Sequence, residues 1–194
     1  MPNSNFFPIL AVSLLLASLP ACSVNVKKDA NGKEKQVDIN TVAAGIHVNT
    51  EVDASETGLP VYPGAQLKPE SKDHDNNRAN VDLSGFGFGL KVVALDYLSD
   101  DPPSKIVAFY SGKLAKYGKV LECHTSSDLD VNVDMHDKSD SKSNELTCEG
   151  SSGNNVELKV GKKDDQHVVS VKPSGKGSEF SLVFVRTHGK DADI

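Results

Sequence analysis

The chain has little aromatic character: tryptophan is absent, and aromatic residues make up 6% of its 194 residues. Stacking platforms for nucleobases are therefore in short supply. Acidic side chains outnumber basic ones and give a formal net charge of −6. Because nucleic-acid binding requires a positively charged patch, this balance predicts that the protein has no nucleic-acid partner.

The chain also lacks the common catalytic motifs. No two cysteines are spaced as Cys-x-x-Cys, and no serine lies in a nucleophile-elbow pattern. Gly85-Phe86-Gly87-Phe88-Gly89 has neither the spacing of a dinucleotide-binding loop nor the ending of a phosphate loop. These glycines predict a turn or a pliable strand, or a contact patch if the two phenylalanines are exposed. We therefore predict that the protein is not an enzyme and holds no cofactor.

Charge is missing altogether from residues 1–21, which contain an apolar run at positions 6–19. A run of this length suits a signal peptide and is too short to cross a bilayer. It ends in Leu19-Pro20-Ala21-Cys22, which resembles a bacterial lipobox. The resemblance implies cleavage before Cys22 and attachment of lipid to its sulfur and its amine. The alternative is an ordinary cleaved signal peptide, with Cys22 removed or free.

A lipid on Cys22 predicts a place in the bacterial cell envelope, with the chain held to the membrane by its N-terminus. Ser23 rather than Asp follows the cysteine, as in lipoproteins that proteobacteria sort to the outer membrane. We therefore expect the outer membrane if the host is Gram-negative. The surrounding compartment is then an oxidising one.

Residues 22–57 predict a polar, β-rich arm. Short alternating segments flank Asn31-Gly32, and this dipeptide between such segments is a strong hairpin signal. An isolated hairpin is marginal in water, so the arm is either a mobile tether or a set of edge strands docked on a sheet. Its lysines face either anionic lipid head groups or the solvent beside an edge strand; they are Lys27, Lys28, Lys33 and Lys35.

A helix is predicted over residues 100–118. Asp101 is the expected N-cap, Pro102 suits the first helical position, and Gly118 is the expected left-handed stop. Apolar residues recur at helical spacing and define the face that we expect to be buried: Val107, Tyr110, Leu114 and Tyr117.

The rest of the chain predicts short strands. Alternating or β-branched segments occur at residues 79–84, 90–98, 119–123, 144–149, 156–160, 167–171 and 180–186. The connections between the last four predicted strands are short, so consecutive strands there must pair antiparallel. We therefore predict an α+β fold over residues 58–188, with about six to eight antiparallel strands and the helix on one face. Residues 189–194 are predicted to form a flexible tail.

Several short segments between residues 59 and 186 resemble those of a known group of proteins. The segments that carry the resemblance are Val61-Tyr62-Pro63-Gly64-Ala65, Asp101-Pro102, Ala108-Phe109-Tyr110 and Tyr117-Gly118. Together they resemble a group of uncharacterised secreted bacterial proteins and lipoproteins, over about residues 59–186. The resemblance implies the same fold and supports export. It implies no activity and no site residues.

With a lipid-bearing Cys22 set aside, two cysteines remain for an oxidising compartment. Cys123 and Cys148 lie near the ends of two predicted strands, so we expect them to form a disulfide. The alternative, a redox or metal-binding thiol pair, lacks the usual Cys-x-x-Cys spacing.

One acidic segment suggests a cation site. Asp128, Asp130 and Asp134 occupy ligand positions of a calcium loop, but Val133 replaces the turn glycine and Ser139 replaces the bidentate glutamate. The same segment alternates polar and apolar residues, as a half-buried strand does. It is therefore either a strand or a solvated loop, or a cation site with these three aspartates as candidate ligands.

Together these features predict an exported, non-enzymatic lipoprotein that supports envelope structure or contacts a protein partner. The alternative function is a periplasmic module that binds calcium or a small ligand through the acidic segment.

Overall fold

The computed structural model describes residues 22–28, 30, 32, 34–69, 77–126, 144–148 and 152–189. Within these residues, the main helix is α1 (Pro103–Leu114), and two short 3₁₀ helices occur at Ala54–Thr57 and Ala115–Tyr117. The strands are β1 (Ser23–Lys28), β2 (Glu34–Asn40), β3 (Ala44–Asn49), β4 (Gln66–Leu67), β5 (Arg78–Gly85), β6 (Phe88–Ser99), β7 (Leu121–Thr125), β8 (Asn155–Lys162), β9 (Asp165–Ser174) and β10 (Gly177–His188).

The strands form one open antiparallel sheet in the order β1-β2-β3-β5-β6-β10-β9-β8-β7, and β4 pairs with β6 outside this path. The predicted fold class, an antiparallel α+β sheet with one main helix, is confirmed. The strand number is higher than predicted, because the described sheet has ten strands. The excess comes from the predicted arm: β3 pairs with β5 from Ala44↔Gly85 to Asn49↔Asn80, so β1, β2 and β3 continue the sheet.

One predicted strand is not formed. Residues 144–148 have no strand conformation, although the prediction placed a strand at 144–149. Other strands extend past their predicted ends because pairing continues in register beyond the apolar residues. The register of β9 with β10, for example, runs from Gly177↔Ser174 to Arg186↔Asp165.

Helix α1 packs its buried face on β8, β9 and β10. The fully buried residues of that face are Ile106, Tyr110 and Leu114, and Val107, which was predicted to lie on it, is half-buried and packs against the edge of the core. The N-cap prediction is also wrong: the helix begins after Pro102 with no side-chain cap. The Asp101 carboxylate instead accepts hydrogen bonds from the Tyr62 hydroxyl at 2.8 Å and the Lys105 ammonium at 2.6 Å.

The main core lies between α1 and the sheet. Its centre is Phe180 on β10, whose ring is surrounded by tyrosines from three different parts of the chain. The ring centroids of Tyr97, Tyr110 and Tyr62 lie 5.4, 5.6 and 6.4 Å from that of Phe180. The Tyr110 hydroxyl donates to the Pro60 carbonyl at 3.1 Å, so its polar atom is satisfied inside the core. Burial raises the pKa of Tyr110 above its ordinary value.

The opposite face of the sheet carries a second apolar cluster. Its buried members are Leu90, Val168, Val183 and Val185, and Val92 and Leu83 extend it toward the arm. Because side chains alternate along a strand, these residues point away from α1. Register continues the apolar character as far as β2, through the aligned pairs Val81↔Val92, Val48↔Val81 and Val37↔Val48. The sheet therefore has an apolar strip on the side without the helix.

Candidate functional site

The residue predicted to carry lipid lies at the start of the sheet. Cys22 is an exposed free cysteine, and β1 begins at the next residue, Ser23. β1 then pairs with β2 in register from Ser23↔Asn40. A group attached to Cys22 is therefore joined to the folded sheet with no intervening linker. Residues 1–21, the predicted signal peptide, lie outside the described residues.

A row of charged side chains crosses the sheet on the helix side, beyond the end of α1. Register aligns six ionisable residues on neighbouring strands: Asp38, His47, Asp82, Lys91, Arg186 and Asp165. We call these six residues the charged row. Two ion pairs lie within it, Lys91 with Asp82 at 4.0 Å and Arg186 with Asp165 at 2.9 Å. His47 and Asp38 form a hydrogen bond.

The side chains of the charged row are exposed or half-buried, so water screens their pairs and the pairs add little to stability. The hydrogen bond from His47 is the main cause that lowers the pKa of the Asp38 carboxyl. Such a row presents both signs of charge across the sheet, with one side chain on each of six neighbouring strands. It is suited to contact with a protein surface of complementary pattern.

The predicted disulfide partners are joined. The sulfurs of Cys123 and Cys148 lie 2.01 Å apart and their Cα atoms 5.4 Å apart, within the usual range for a disulfide. Cys123 is buried on β7, which forms one edge of the sheet. The bond therefore ties residues 144–148 to that edge, and it is compatible with an oxidising compartment.

A buried ion pair lies next to the disulfide. Glu157 is the register partner of Cys123, and its Oε2 atom lies 3.0 Å from the Lys159 Nζ atom. The two side chains are 4% and 9% exposed, and Glu157 Oε1 has no hydrogen-bond partner among the described residues. Sequence reasoning missed this pair, because Glu157 and Lys159 occupy alternate positions that are normally solvent-facing beside apolar Leu158 and Val160.

A second polar group on the same face is Asp96. Its carboxyl accepts a hydrogen bond from the Ser181 hydroxyl at 2.6 Å, and burial is the main cause that raises its pKa. Close by, Glu179 pairs with Lys68 at 2.6 Å and with Lys172 at 3.3 Å. These groups satisfy one another and hold β4 against the sheet.

The acidic segment lies outside the described residues, so Asp128, Asp130 and Asp134 have no place in this geometry. Among the residues that are described, no three or more His, Cys, Asp or Glu side chains gather as metal ligands would. Nor does any helix in the described parts of the chain have the length and apolar character needed to cross a bilayer.

His167 joins the 3₁₀ helix at Ala54–Thr57 to the sheet. Its buried Nδ1 atom lies 2.9 Å from the Thr57 carbonyl, to which it donates, and its ring stacks on Tyr117 at 3.9 Å. Tyr117, predicted to be buried on the helix face, instead follows α1 and donates its hydroxyl to the Gly58 carbonyl at 2.6 Å. Burial lowers the pKa of His167, against the opposing influence of Thr57 and Asp165.

This burial predicts a pH dependence of stability. The unfolded chain binds a proton at His167 near the ordinary pKa of about 6.5, whereas the folded chain binds it only at lower pH. The free energy of unfolding should therefore fall as the pH drops from about 7.5 to about 5, and level off below the folded pKa. Urea unfolding at several pH values measures this.

The control compares His167→Gln with His124→Gln, which alters an exposed histidine on β7. His167→Gln should reduce the pH dependence over this range, and His124→Gln should leave it in place. Equal slopes for His167→Gln and the unmodified chain would contradict the assignment.

Comparison of the chain with protein-family models, curated proteins and solved structures returned no match. Function is therefore argued from the residues of this chain.

Proposed function

We propose that this protein is an exported, non-enzymatic lipoprotein of the bacterial cell envelope, held at the membrane by lipid on Cys22. One observation carries the proposal: the exposed Cys22, which ends a lipobox-like sequence, leads directly into β1 of the sheet. The Cys123–Cys148 disulfide supports an oxidising compartment. In a Gram-negative host, Ser23 favours the outer membrane.

The physical basis is the number of acyl chains. One acyl chain gives only marginal membrane binding, whereas lipid on both the sulfur and the amine of Cys22 gives stable anchoring. Since β1 starts one residue later, the anchor holds the sheet within a few ångströms of the membrane surface. The charged row then remains available on the helix side, and we propose that it contacts a protein partner.

The non-enzymatic part of the proposal rests on the sequence, which contains no complete catalytic motif. The calcium-binding alternative depends on Asp128, Asp130 and Asp134. These three aspartates lie outside the described residues, and the described ones contain no cluster of three or more possible metal ligands. We therefore prefer the anchored, partner-binding role.

The test is membrane fractionation of cells that export the chain. The unmodified protein should be found in the membrane fraction, and mass spectrometry should identify an acylated Cys22 as its first residue. A variant with a generic cleavable leader placed directly before Ser23 should be almost entirely soluble. The Cys22→Ala variant should carry no acyl groups. Because its leader is then not cleaved before residue 22, the apolar leader itself keeps this variant at the membrane, so acylation is its readout.

Ser23→Ala is the matched control, because it alters the neighbouring residue and keeps the cysteine; it should stay acylated and membrane-bound. An unmodified chain that is soluble, or that carries no acyl group on Cys22, would refute the proposal.

A further inference from the structure

Strand register places Cys22 at the same end of the sheet as two hairpin turns. Ser23 is aligned with Asn40, Asn40 with Gly45, Gly45 with Ser84, and Ser84 with Gly89, on neighbouring strands. Beyond this row the chain turns twice, at residues 41–43 between β2 and β3 and at Phe86-Gly87 between β5 and β6. Cys22 lies beyond the same row, so the three features share one end, which we call the anchor end.

The tips of both turns at the anchor end are apolar and exposed. Val42 is 82% exposed and Phe86 is 80% exposed, the two highest values among the large apolar side chains of the described residues. Val24, two residues from Cys22, is 62% exposed and adds to the same end. The opposite end differs, since its turn between β9 and β10 is formed by Gly175 and Lys176.

Among the described residues, a charged turn also lies on the anchor side, but it is set back. Lys163-Asp164 connects β8 to β9 after the pair Lys162↔Asp165, and Asp165 is aligned with Arg186 and Lys91. The Phe86-Gly87 turn begins three residue rows farther along, after Gly85↔Phe88. At about 3.4 Å per row, the charged turn ends about 10 Å short of the Phe86-Gly87 turn. The turn that carries Val42 begins two rows farther along, after Asn40↔Gly45, or about 7 Å beyond the charged turn.

The backbone at Phe86 is unfavourable for its residue type. Phe86 has φ 53° and is the non-glycine residue with positive φ among those described; Gly87 follows with φ 80°. A two-residue hairpin turn of this type prefers Asn or Asp followed by Gly. A bulky aromatic residue there is disfavoured both by its backbone and by its exposure to water. Such a local cost indicates a function for the side chain outside the folded domain.

We propose that Phe86 and Val42 insert into the interfacial region of the bilayer that holds the lipid of Cys22. This inference rests on the proposed lipid anchoring. Aromatic and apolar side chains favour the membrane interface, and a tethered surface binds at high effective concentration, so that two weak contacts suffice. The contact sets the orientation of the protein, with the anchor end against the membrane and the Gly175-Lys176 turn at the far end.

The absence of tryptophan makes a direct test possible, because one introduced tryptophan is then the sole indole in the chain. Phe86→Trp is the test variant and Lys176→Trp, in the turn at the far end, is the matched control. Each protein is extracted from membranes with its lipid and reconstituted into vesicles whose lipids carry bromine on their acyl chains. Bromine quenches indole fluorescence only at close contact, and mass spectrometry of Cys22 is recorded on the same samples.

The expected result is that bromolipid quenches most of the Phe86→Trp emission, with a blue shift, and leaves Lys176→Trp unchanged. Val42→Trp is the second test variant if Phe86→Trp does not fold, and it should also be quenched. An acylated, vesicle-bound protein whose test tryptophan is unquenched would overturn the insertion and leave the anchoring intact. If the emission of the test tryptophan is blue-shifted but not quenched, the tryptophan is buried against protein, such as a second copy of the chain. That result would also overturn the proposed insertion. Lack of acylation and of vesicle binding would refute the anchoring itself.

Discussion

Phe180→Ala is expected to lower the free energy of unfolding by about 3–5 kcal/mol, the range measured for buried phenylalanine truncations. Phe180 is almost fully buried, and its ring contacts those of Tyr97, Tyr110 and Tyr62. These rings come from β6, from α1 and from the turn before β4, so no single neighbour is able to fill the space left by the missing ring. The substitution therefore leaves a cavity between the helix and the sheet.

Guanidinium denaturation measures this loss as a lower midpoint at an unchanged slope. Phe86→Ala is the control, since it removes the same ring from an exposed turn and should change stability by no more than about 0.5 kcal/mol. A loss for Phe180→Ala that is no larger than for Phe86→Ala would show that the aromatic cluster is not the centre of the core.

The second large effect concerns the disulfide. Replacing both Cys123 and Cys148 with alanine is expected to lower the free energy of unfolding by about 3.5 kcal/mol, because the bond closes a loop between residues that are 25 positions apart. Without it, the unfolded chain regains the conformational freedom of that loop. For a domain of this size, the midpoint of thermal unfolding should fall by roughly 7–14 °C.

Two controls distinguish the effect of losing the disulfide bond on stability from the effect of replacing cysteine side chains. Cys22→Ala, made in the chain after the leader, removes a thiol that closes no loop and should leave the stability within about 0.5 kcal/mol. Reduction of the unmodified protein with dithiothreitol should reproduce most of the effect of the double substitution. Equal stability of the reduced and oxidised forms would contradict the prediction.

Local pattern was sufficient where neighbouring residues in the chain decide the structure. Alternation predicted most of β5, β6, β8, β9 and β10, and helical spacing predicted α1 with Tyr110 and Leu114 on its buried face. The pairing of Cys123 with Cys148 was predicted by setting Cys22 aside as the expected lipid site, which leaves two thiols to pair. Each of these rests on side-chain period or on residue type, which are properties of the sequence itself.

Local pattern failed where contacts with residues far away in the sequence decide the position or the hydrogen-bond partner of a side chain. Asp101 is a good N-cap by type, but Tyr62, 39 positions earlier, takes its carboxylate as an acceptor. Ile106 is fully buried and Val107 only half-buried, because the sheet beneath α1, and not the helix alone, sets the rotation of the helix. Glu157 and Lys159 looked solvent-facing, yet both are buried beside the disulfide.

The sequence by itself determined the residues from which function is argued: a lipobox-like Cys22, two further cysteines, and an alternating arm. Only the tertiary structure decided that the arm docks on β5 and that Cys22, Val42 and Phe86 share one end of the sheet. The reason is that strand register depends on pairing between segments tens of residues apart. No short window of sequence contains the information that aligns them.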